Sequence, residues 1–204
     1  MLPWGQPPPA VPAEQSSAAT LTSENGQPFV PPIIYSVWES LEMTRCYTRI
    51  ESPLGPLLLA ADEAGLREIR FVNGRQPAQP ELSWKEGCAP FGQTIRQLQA
   101  YFAGELESFD LQLAPEGTPF QLEVWRRLCD IPYGETISYG ELAGRIGNPR
   151  ASRAVGLANG SNPIPIVIPC HRVIGSNGKL TGYGGGLPIK EKLLALERRQ
   201  LRLL

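Results

Sequence analysis

The stretch SYGELAGRIGNPRASRAVGLA, residues 138–158, decides how the second half of the chain folds. Ser138 followed three residues later by Glu141 is a capping box, which predicts a helix over Tyr139 to Ile146. Gly147-Asn148-Pro149 then breaks this helix. With Asn148 as the cap and Pro149 at the first helical position, the next helix is predicted from Arg150 to Ala158. Two short helices joined by a glycine-containing turn are typical of a helix-turn-helix.

The second helix of this pair is rich in small residues. It carries two arginines among several alanines and a glycine: Arg150, Ala151, Arg153, Ala154, Gly156 and Ala158. Small side chains let a helix backbone approach another surface closely, and arginines near a helix N-terminus can bind phosphates. DNA binding explains this composition, and so does a tightly packed contact between two helices.

Another helix is predicted upstream of this motif. Thr118 with Gln121 forms a capping box with Pro119 at the first helical position. Further upstream, residues 45–115 predict a small α/β scaffold domain without evident chemistry. Its predicted strands are Cys46 to Ile50, Leu57 to Ala61 and Leu66 to Val72. One face of a helix is then predicted from the spacing of Ile95, Leu98, Tyr101 and Phe102, and Gly104 is expected to end that helix.

Residues 1–44 differ in composition from the rest of the 204-residue chain. Eight prolines fall within the first 32 residues, alongside Ser, Gln and Ala, so this leader is expected to be disordered. Since Met43 is the only methionine after Met1, a natural start at Met43 is a hypothesis. The remaining chain then divides into 45–115 and 116–204.

Composition narrows the class of protein. The chain is 42% hydrophobic and 19% charged, with no apolar run long enough for a membrane span, so we expect no membrane partner. Its net charge of −1 conceals a basic segment, because residues 135–204 hold 10 Lys and Arg against 4 Asp and Glu. That local excess suits a polyanion, although a solvated surface also explains it.

The four cysteines are widely spaced and form no CxxC pair, and His171 is the only histidine. We therefore expect reduced thiols, no metal site and a cytosol-like compartment. Cys170 follows Pro169 and precedes His171 and Arg172, at the end of an apolar run. A thiol needs a base or a positive charge to become a nucleophile. His171 is a candidate base, and Arg172 adds positive potential. A buried inert cysteine beside a structural histidine is the alternative.

The string Pro169-Cys170-His171-Arg172-Val173 resembles the active-site signature of the O6-alkylguanine-DNA alkyltransferases. The resemblance extends over roughly residues 45–201. It implies an α+β fold, with a small N-terminal α/β (ribonuclease H-like) domain and a mainly helical C-terminal domain like a winged helix-turn-helix. Further matching positions include Phe120-Gln121, Val124-Trp125, Ile131-Pro132-Tyr133-Gly134-Glu135-Thr136, Ser138-Tyr139, Arg153-Ala154-Val155-Gly156, Asn162-Pro163, Gly182-Tyr183, Lys190 and Glu197.

The resemblance implies a DNA-repair reaction in which Cys170 accepts the alkyl group from O6 of guanine, once and irreversibly, without a cofactor. His171 is expected to deprotonate the thiol through a bridging water, and Glu197 to orient the imidazole. Asn162 is expected to brace the turn that presents the cysteine. Tyr139 is expected to contact the flipped nucleotide and to protonate the leaving base.

The resemblance also implies a double-stranded DNA partner that carries O6-alkylguanine, with O4-alkylthymine as a possible second substrate. The predicted helix from Arg150 to Ala158 is expected to enter the minor groove, with Arg153 filling the space of the flipped nucleotide. The predicted DNA contacts are Ser138, Arg150, Ala151, Arg153, Ala154 and Gly156. The backbone around Cys170 and Val173 is expected to read the guanine edge, and the Gly184 amide to donate towards O6.

The chain departs from the family pattern in two ways. Some relatives hold zinc on N-terminal cysteines and histidines, and a chain with one histidine is expected to lack that site. Three glycines, Gly184 to Gly186, follow Tyr183 where relatives often carry a larger residue, so a wider substrate range is a hypothesis. We expect a monomer in the cytoplasm with nucleoid DNA, or in the nucleus of a eukaryote.

Three other classes of protein share part of this sequence pattern. A damage-binding relative without activity lacks the acceptor cysteine, which is present here as Cys170. A helix-turn-helix regulator that senses alkylation would need an effector domain, and none is visible. A Cys-His hydrolase usually draws its histidine from a distant segment, and it would leave the predicted DNA-facing helix unexplained.

Overall fold

The computed structural model describes residues 45–74, 78–87 and 91–200, without the side chains of the last two residues. The predicted leader, the hypothetical start at Met43 and Cys88 lie outside these ranges. Within them, a four-stranded sheet and one helix precede a mainly helical region. The predicted α+β class is therefore confirmed.

The N-terminal sheet has the strand order β3-β2-β1-β4. Its strands are β1 (Cys46–Ile50), β2 (Leu57–Asp62), β3 (Gly65–Phe71) and β4 (Lys85–Glu86). The first three strands pair antiparallel, and β4 pairs parallel with β1. The three strands predicted from the sequence are confirmed to within one residue at each end, because glycine and proline turns separate clear apolar runs.

Helix α1 (Gly92–Ala103) packs Leu98 and Tyr101 into the core. It ends at Gly104, whose backbone is left-handed with φ 83°. Glycine adopts that conformation without the steric cost that a Cβ imposes, so the predicted stop is confirmed.

The second half contains α2 (Pro119–Leu128), β5 (Ile137–Ser138), α3 (Tyr139–Arg145), α4 (Ser152–Gly160), β6 (Val173–Ile174) and α5 (Leu187–Gln200). Both predicted capping boxes form, at the start of α2 and at the start of α3. The short strands β5 and β6 pair in parallel. This pairing brings the start of α3 next to the residues that follow Cys170.

The start of α4 differs from the prediction. The residues Pro149–Ala151 form a single 3₁₀ turn, and the α-helix begins only at Ser152 and continues to Gly160. Asn148 precedes the 3₁₀ turn but makes no capping hydrogen bond through its side chain. Because this side-chain bond is missing, the tighter 3₁₀ hydrogen bonding of the first turn satisfies backbone groups instead, as is common at uncapped helix termini.

The sheet, α1 and the helices of the second half share one hydrophobic core. Tyr101 of α1 lies in the same cluster as Trp125 of α2 and Leu193 of α5. The backbone of β3 also bonds to the second half directly, since the Ile69 amide donates to the Pro163 carbonyl at 2.9 Å. The N-terminal sheet is thereby held against the segment that leads to Cys170.

The cysteines differ from the expectation of reduced thiols. Cys46 is disulfide-bonded, whereas Cys129 and Cys170 are free. Distance along the chain says little about distance in space, so sequence spacing alone did not predict the bonded state of Cys46. No helix in the described part of the chain is long and apolar enough to cross a membrane. Residues 45–74, 78–87 and 91–200 contain no His, Cys, Asp and Glu cluster that could hold a metal ion.

Candidate active site

The segment that leads to Cys170 is a tight apolar turn held by Asn162. The Asn162 side chain donates to the Ile168 carbonyl at 2.8 Å and accepts from the Ile164 amide at 3.0 Å. Within this turn Ile166 is fully buried and has a left-handed backbone, with φ 76°. A branched residue rarely adopts that conformation, and it costs of order 1–3 kcal/mol. The surrounding hydrogen bonds and packing therefore hold the turn in a strained form.

Cys170 begins a 3₁₀ turn, Cys170–Arg172, and only 4% of it is exposed. Burial raises the pKa of its thiol to about 11, while the Asn162 side chain and the Lys190 charge act in the opposite direction. The resting thiol is therefore protonated at neutral pH. A base must remove its proton before the sulfur can act as a nucleophile.

His171 is fully buried and pairs with Glu197 of α5, whose Oε1 lies 2.9 Å from the His171 Nε2. Burial lowers the pKa of His171, so the ring is neutral at pH 7. An ionised carboxylate can only accept, so Nε2 carries the ring proton and Nδ1 keeps a free lone pair. The buried Nδ1 has no hydrogen-bond partner among the described residues. The ring therefore offers an unused base next to Cys170.

Glu197 is surrounded by donors from three separate segments. Its Oε1 accepts from the Tyr101 hydroxyl at 2.7 Å, and its Oε2 accepts from the Gly134 amide at 3.0 Å. The Arg172 guanidinium binds both oxygens, at 2.9 Å to Oε1 and 3.0 Å to Oε2. Burial alone raises the pKa of Glu197, but the hydrogen bonds from His171 and Arg172 outweigh it and hold the pKa at about 2. The carboxylate is thus ionised across the physiological range.

The positive charge of Arg172 is paired with Glu197 and not with the Cys170 thiol. The sequence predicts that it adds positive potential to Cys170, but its guanidinium binds Glu197 and donates to the Ile131 carbonyl at 2.6 Å. It also lies over the Tyr133 ring, 5.5 Å from the ring centroid. Lys190 of α5 is instead the cation whose charge acts on Cys170.

Lys190 is fully buried and donates to the Val173 carbonyl at 2.5 Å and to the Thr181 carbonyl at 2.9 Å. Burial lowers its pKa to about 8, and the nearby Cys170 counteracts this shift. The Val173 carbonyl, one group of the backbone around Cys170 and Val173 that is predicted to read the guanine edge, therefore accepts a hydrogen bond from Lys190. Val173 does not line the cleft that contains Cys170.

A cleft of about 1160 Å³ opens over Cys170. Four residues predicted to act at the site line this cleft together with Cys170: Tyr139, Gly156, Asn162 and Gly184. A Cβ placed on Gly156 would lie 3.8 Å from the Tyr139 ring, so α4 passes close to that side chain. His171 and Glu197 are fully buried and do not line the cleft.

Five of the six predicted DNA contacts lie on α4 or on the turn before it, and Ser138 caps the start of α3. Arg150, Arg153 and Ala154 are exposed, while Ser138, Ala151 and Gly156 are half-buried. Leu157 is 77% exposed and follows Arg153 by one helical turn, so both side chains lie on one face. On the inner side, the Asn159 side chain donates to the Cys170 carbonyl at 3.4 Å. Helix α4 therefore contacts Cys170 on its inner side and exposes Arg153 on its outer side.

Sequence reasoning missed several residues of this site. The hydroxyl of Tyr101 reaches Glu197, yet in the sequence Tyr101 is only one apolar position on a helix face. The cleft wall formed by the N-terminal sheet was also missed, since residues 45–115 carry no chemical motif. Lys190 is one of the matching positions quoted above, but the sequence did not predict that its charge acts on Cys170. Nor did the sequence predict the hydrogen bond from Asn159 to the Cys170 carbonyl.

Comparison with known proteins gives the family. The family model described as "6-O-methylguanine DNA methyltransferase, ribonuclease-like domain" matches residues 46–115, and the one described as "6-O-methylguanine DNA methyltransferase, DNA binding domain" matches residues 119–199. The chain belongs to the 6-O-methylguanine DNA methyltransferase family. The predicted enzyme class, methylated-DNA–protein-cysteine methyltransferase, is thereby confirmed, and with it DNA repair by alkyl transfer to a cysteine.

Individual relatives agree with the family models. The methylated-DNA–protein-cysteine methyltransferase of Methanosarcina acetivorans is 62% identical over 151 residues, which are 74% of this chain and 97% of that protein. The Mycobacterium tuberculosis protein of the same name is 54% identical over 153 residues, 74% of this chain and 92% of that protein. A crystal structure of M. tuberculosis OGT in complex with DNA is similar with a TM-score of 0.71 at 52% identity, covering 76% of this chain and 94% of that one.

Proposed function

We propose that this methyltransferase family member removes the alkyl group from O6-alkylguanine in duplex DNA and transfers it to Cys170. The observation that carries this proposal is the free Cys170 thiol, which lines a cleft and is followed in the chain by His171. The Nδ1 of that histidine has no hydrogen-bond partner among the described residues. The adjoining carboxylate of Glu197 fixes that histidine in the required tautomer. This arrangement is the one that activates a nucleophile through a positioned base.

The transfer is a displacement at the alkyl carbon. The His171 Nδ1 accepts the Cys170 proton through a bridging water, and the resulting thiolate forms a carbon–sulfur bond as the carbon–O6 bond breaks. The Glu197 carboxylate stabilises the imidazolium that forms. Guanine leaves with the electron pair on O6, and Tyr139, which lines the cleft, supplies a proton at N3 of the base. The Gly184 amide donates to O6 while the charge develops.

The base must leave the duplex before this chemistry, because Cys170 is only 4% exposed and lies at the floor of a cleft. Flipping costs of the order of a few kcal/mol. We assign Arg153 to the gap that the nucleotide leaves, with α4 in the minor groove. Ser138, Arg150 and the small residues Ala151, Ala154 and Gly156 are assigned to close contact with the DNA backbone. O4-alkylthymine is the second substrate of this proposal.

The product is a thioether at Cys170, which thiol–disulfide exchange cannot cleave. Each molecule therefore acts once, as a monomer, and needs no cofactor. This single turnover distinguishes the proposed reaction from a hydrolase, which would release the group and act again. The proposal places the protein with the chromosome, in the cytoplasm of a prokaryote or the nucleus of a eukaryote.

Intact-protein mass tests the proposal directly. The protein is incubated with a duplex that contains one O6-methylguanine, and its mass is compared with those of Cys170→Ala and Cys129→Ala. Cys129 is the matched control, because it is the other free cysteine of the described chain. We expect one added methyl group, never more, on wild type and on Cys129→Ala, and none on Cys170→Ala. A methylated Cys170→Ala protein, or repeated turnover by wild type, contradicts the proposal.

A further inference from the structure

The N-terminal sheet forms a second wall of the cleft that contains Cys170. Strand β3 and the segment after it contribute residues to this wall: Glu68, Ile69, Arg70, Phe71, Gly74, Ala78 and Gln79. The wall is fixed in place, because the Ile69 amide bonds to the Pro163 carbonyl within the segment that leads to Cys170. The region that looked like scaffold in the sequence therefore borders the site of the reaction.

Phe71 is the residue of this wall that meets the glycine-rich loop, residues 182–186, which we call the lid. Its side chain is buried, with 8% exposed, and its ring centroid lies 6.0 Å from that of Tyr183. A Cβ placed on Gly185 would lie 2.8 Å from two atoms of the Phe71 ring. Real Cβ atoms do not approach that closely, so the Phe71 ring rests directly on the lid backbone.

The neighbouring glycine of the lid has a different environment. A Cβ placed on Gly184 would have only the Gly160 carbonyl within reach, at 4.0 Å. A small side chain therefore fits at position 184 but not at position 185 unless Phe71 moves. The contrast shows that Phe71 packs against the lid at Gly185 and not at Gly184.

We propose that Phe71 determines the size of the O6 substituent that the cleft accepts, by fixing the lid loop through its contact with Gly185 and Tyr183. This inference rests on the proposed function. The substrates concerned are O6-alkylguanines with groups larger than methyl, and benzyl is the group used in the test. Replacing the Phe71 ring by a smaller side chain frees space beside the lid, and the lid can then move away from Cys170. The rate of transfer should therefore rise more for bulky alkyl groups than for methyl.

The first test compares transfer rates from duplexes that carry one O6-methylguanine or one O6-benzylguanine. In Phe71→Ala we expect the benzyl-to-methyl rate ratio to rise by about tenfold, the usual scale for a change of pocket size in apolar recognition. The variant Phe71→Leu, which keeps most of the apolar packing, should show a smaller rise in the same direction. An unchanged ratio in folded Phe71→Leu and Phe71→Ala overturns the proposal.

The second test uses the contact itself. Gly185→Ala should slow transfer of both groups, because its Cβ must displace the Phe71 ring. Gly144→Ala on α3, where an added Cβ meets no atom within 4 Å, is the control and should stay near wild type. The double variant Phe71→Ala with Gly185→Ala should recover the rate, since a coupled pair shows non-additive effects. If Gly185→Ala is equally slow with and without Phe71, the contact does not set the lid and the proposal fails. Absence of methyl transfer by wild type would instead overturn the proposed function.

Discussion

The Tyr101 hydroxyl of α1 donates a 2.7 Å hydrogen bond to the Glu197 carboxylate of α5, and both residues are fully buried. The same carboxylate oxygen accepts from His171, at 2.9 Å. A side chain of the N-terminal segment thus touches the group that orients the proposed base. Because one oxygen serves both donors, the position of α1 and the orientation of the imidazole are linked through a single atom.

Tyr101→Phe should therefore weaken both stability and reactivity while leaving DNA binding unchanged. Losing one buried hydrogen bond to a charged acceptor should lower the free energy of unfolding by about 1.5–3 kcal/mol, measured by urea denaturation. The rate with free O6-benzylguanine should fall by roughly fivefold, equivalent to about 1 kcal/mol. Tyr47→Phe is the control, since its hydroxyl contacts Glu86 at the surface. A Tyr101→Phe protein that is less stable but equally reactive would limit Tyr101 to a structural role.

Glu197→Gln should destabilise the fold, because Arg172 would remain buried without its carboxylate. Breaking a buried ion pair in this way costs about 3–5 kcal/mol at pH 7. The folded-state pKa of Glu197, about 2, is below its value in the unfolded chain. Its contribution is therefore fully present above the unfolded pKa and is lost as pH falls through the folded pKa.

The measurement for Glu197 is a series of urea denaturations between pH 7 and pH 2. Wild type should lose stability as the pH falls below about 4.3, the ordinary pKa of a glutamate, and Glu197→Gln should lose less over the same interval. Parallel pH dependences for the two proteins would show that Glu197 does not titrate as the structure indicates.

Arg153→Ala should slow repair of duplex DNA while reaction with free O6-benzylguanine stays largely intact. Arg153 is exposed on α4 and is assigned to the gap left by the flipped base, which a free base does not create. Arg145→Ala, which removes an exposed charge from the end of α3, is the control for net charge. Equal loss on the two substrates would contradict the assignment.

Leu157→Ala should weaken DNA binding without lowering thermal stability. Leu157 is 77% exposed, one turn after Arg153 on the proposed DNA face, so its side chain contributes little to the core. In the minor groove it would bury apolar surface worth about 1–2 kcal/mol, or a 5- to 30-fold change in Kd measured by fluorescence anisotropy. Leu187→Ala, at an exposed leucine of α5, should leave the Kd unchanged. The same Kd for Leu157→Ala and wild type would remove this leucine from the interface.

Local signals in the sequence predicted much of the fold. Strands β1 to β3, the stop at Gly104 and both capping boxes each depend on a few adjacent residues, and each is confirmed. The start of α4 was misplaced because Asn148 does not form its expected cap, and a competing 3₁₀ turn satisfies the backbone instead. Whether a side chain actually makes a capping bond depends on geometry that the residue type alone does not fix.

The contacts between distant segments were beyond sequence reasoning. Resemblance to the family named Cys170, His171 and Glu197, and the structure pairs Glu197 with His171, the residue after Cys170. The Tyr101 bond to Glu197 and the wall formed by Phe71 join residues that are far apart in the chain. Apolar periodicity places such residues in the interior, but it does not show which buried group each one meets.

The crowded surroundings of Glu197 also bear on how the protein is made. A ribosome delivers the chain from its N-terminus, so Cys170 and His171 emerge before α5 supplies the carboxylate that holds the imidazole. Until α5 docks, the nascent polypeptide has the proposed nucleophile but not the partner that fixes the tautomer of the proposed base. We therefore expect reactivity to begin only when this late helix docks, and partly folded chains to be poor alkyl acceptors.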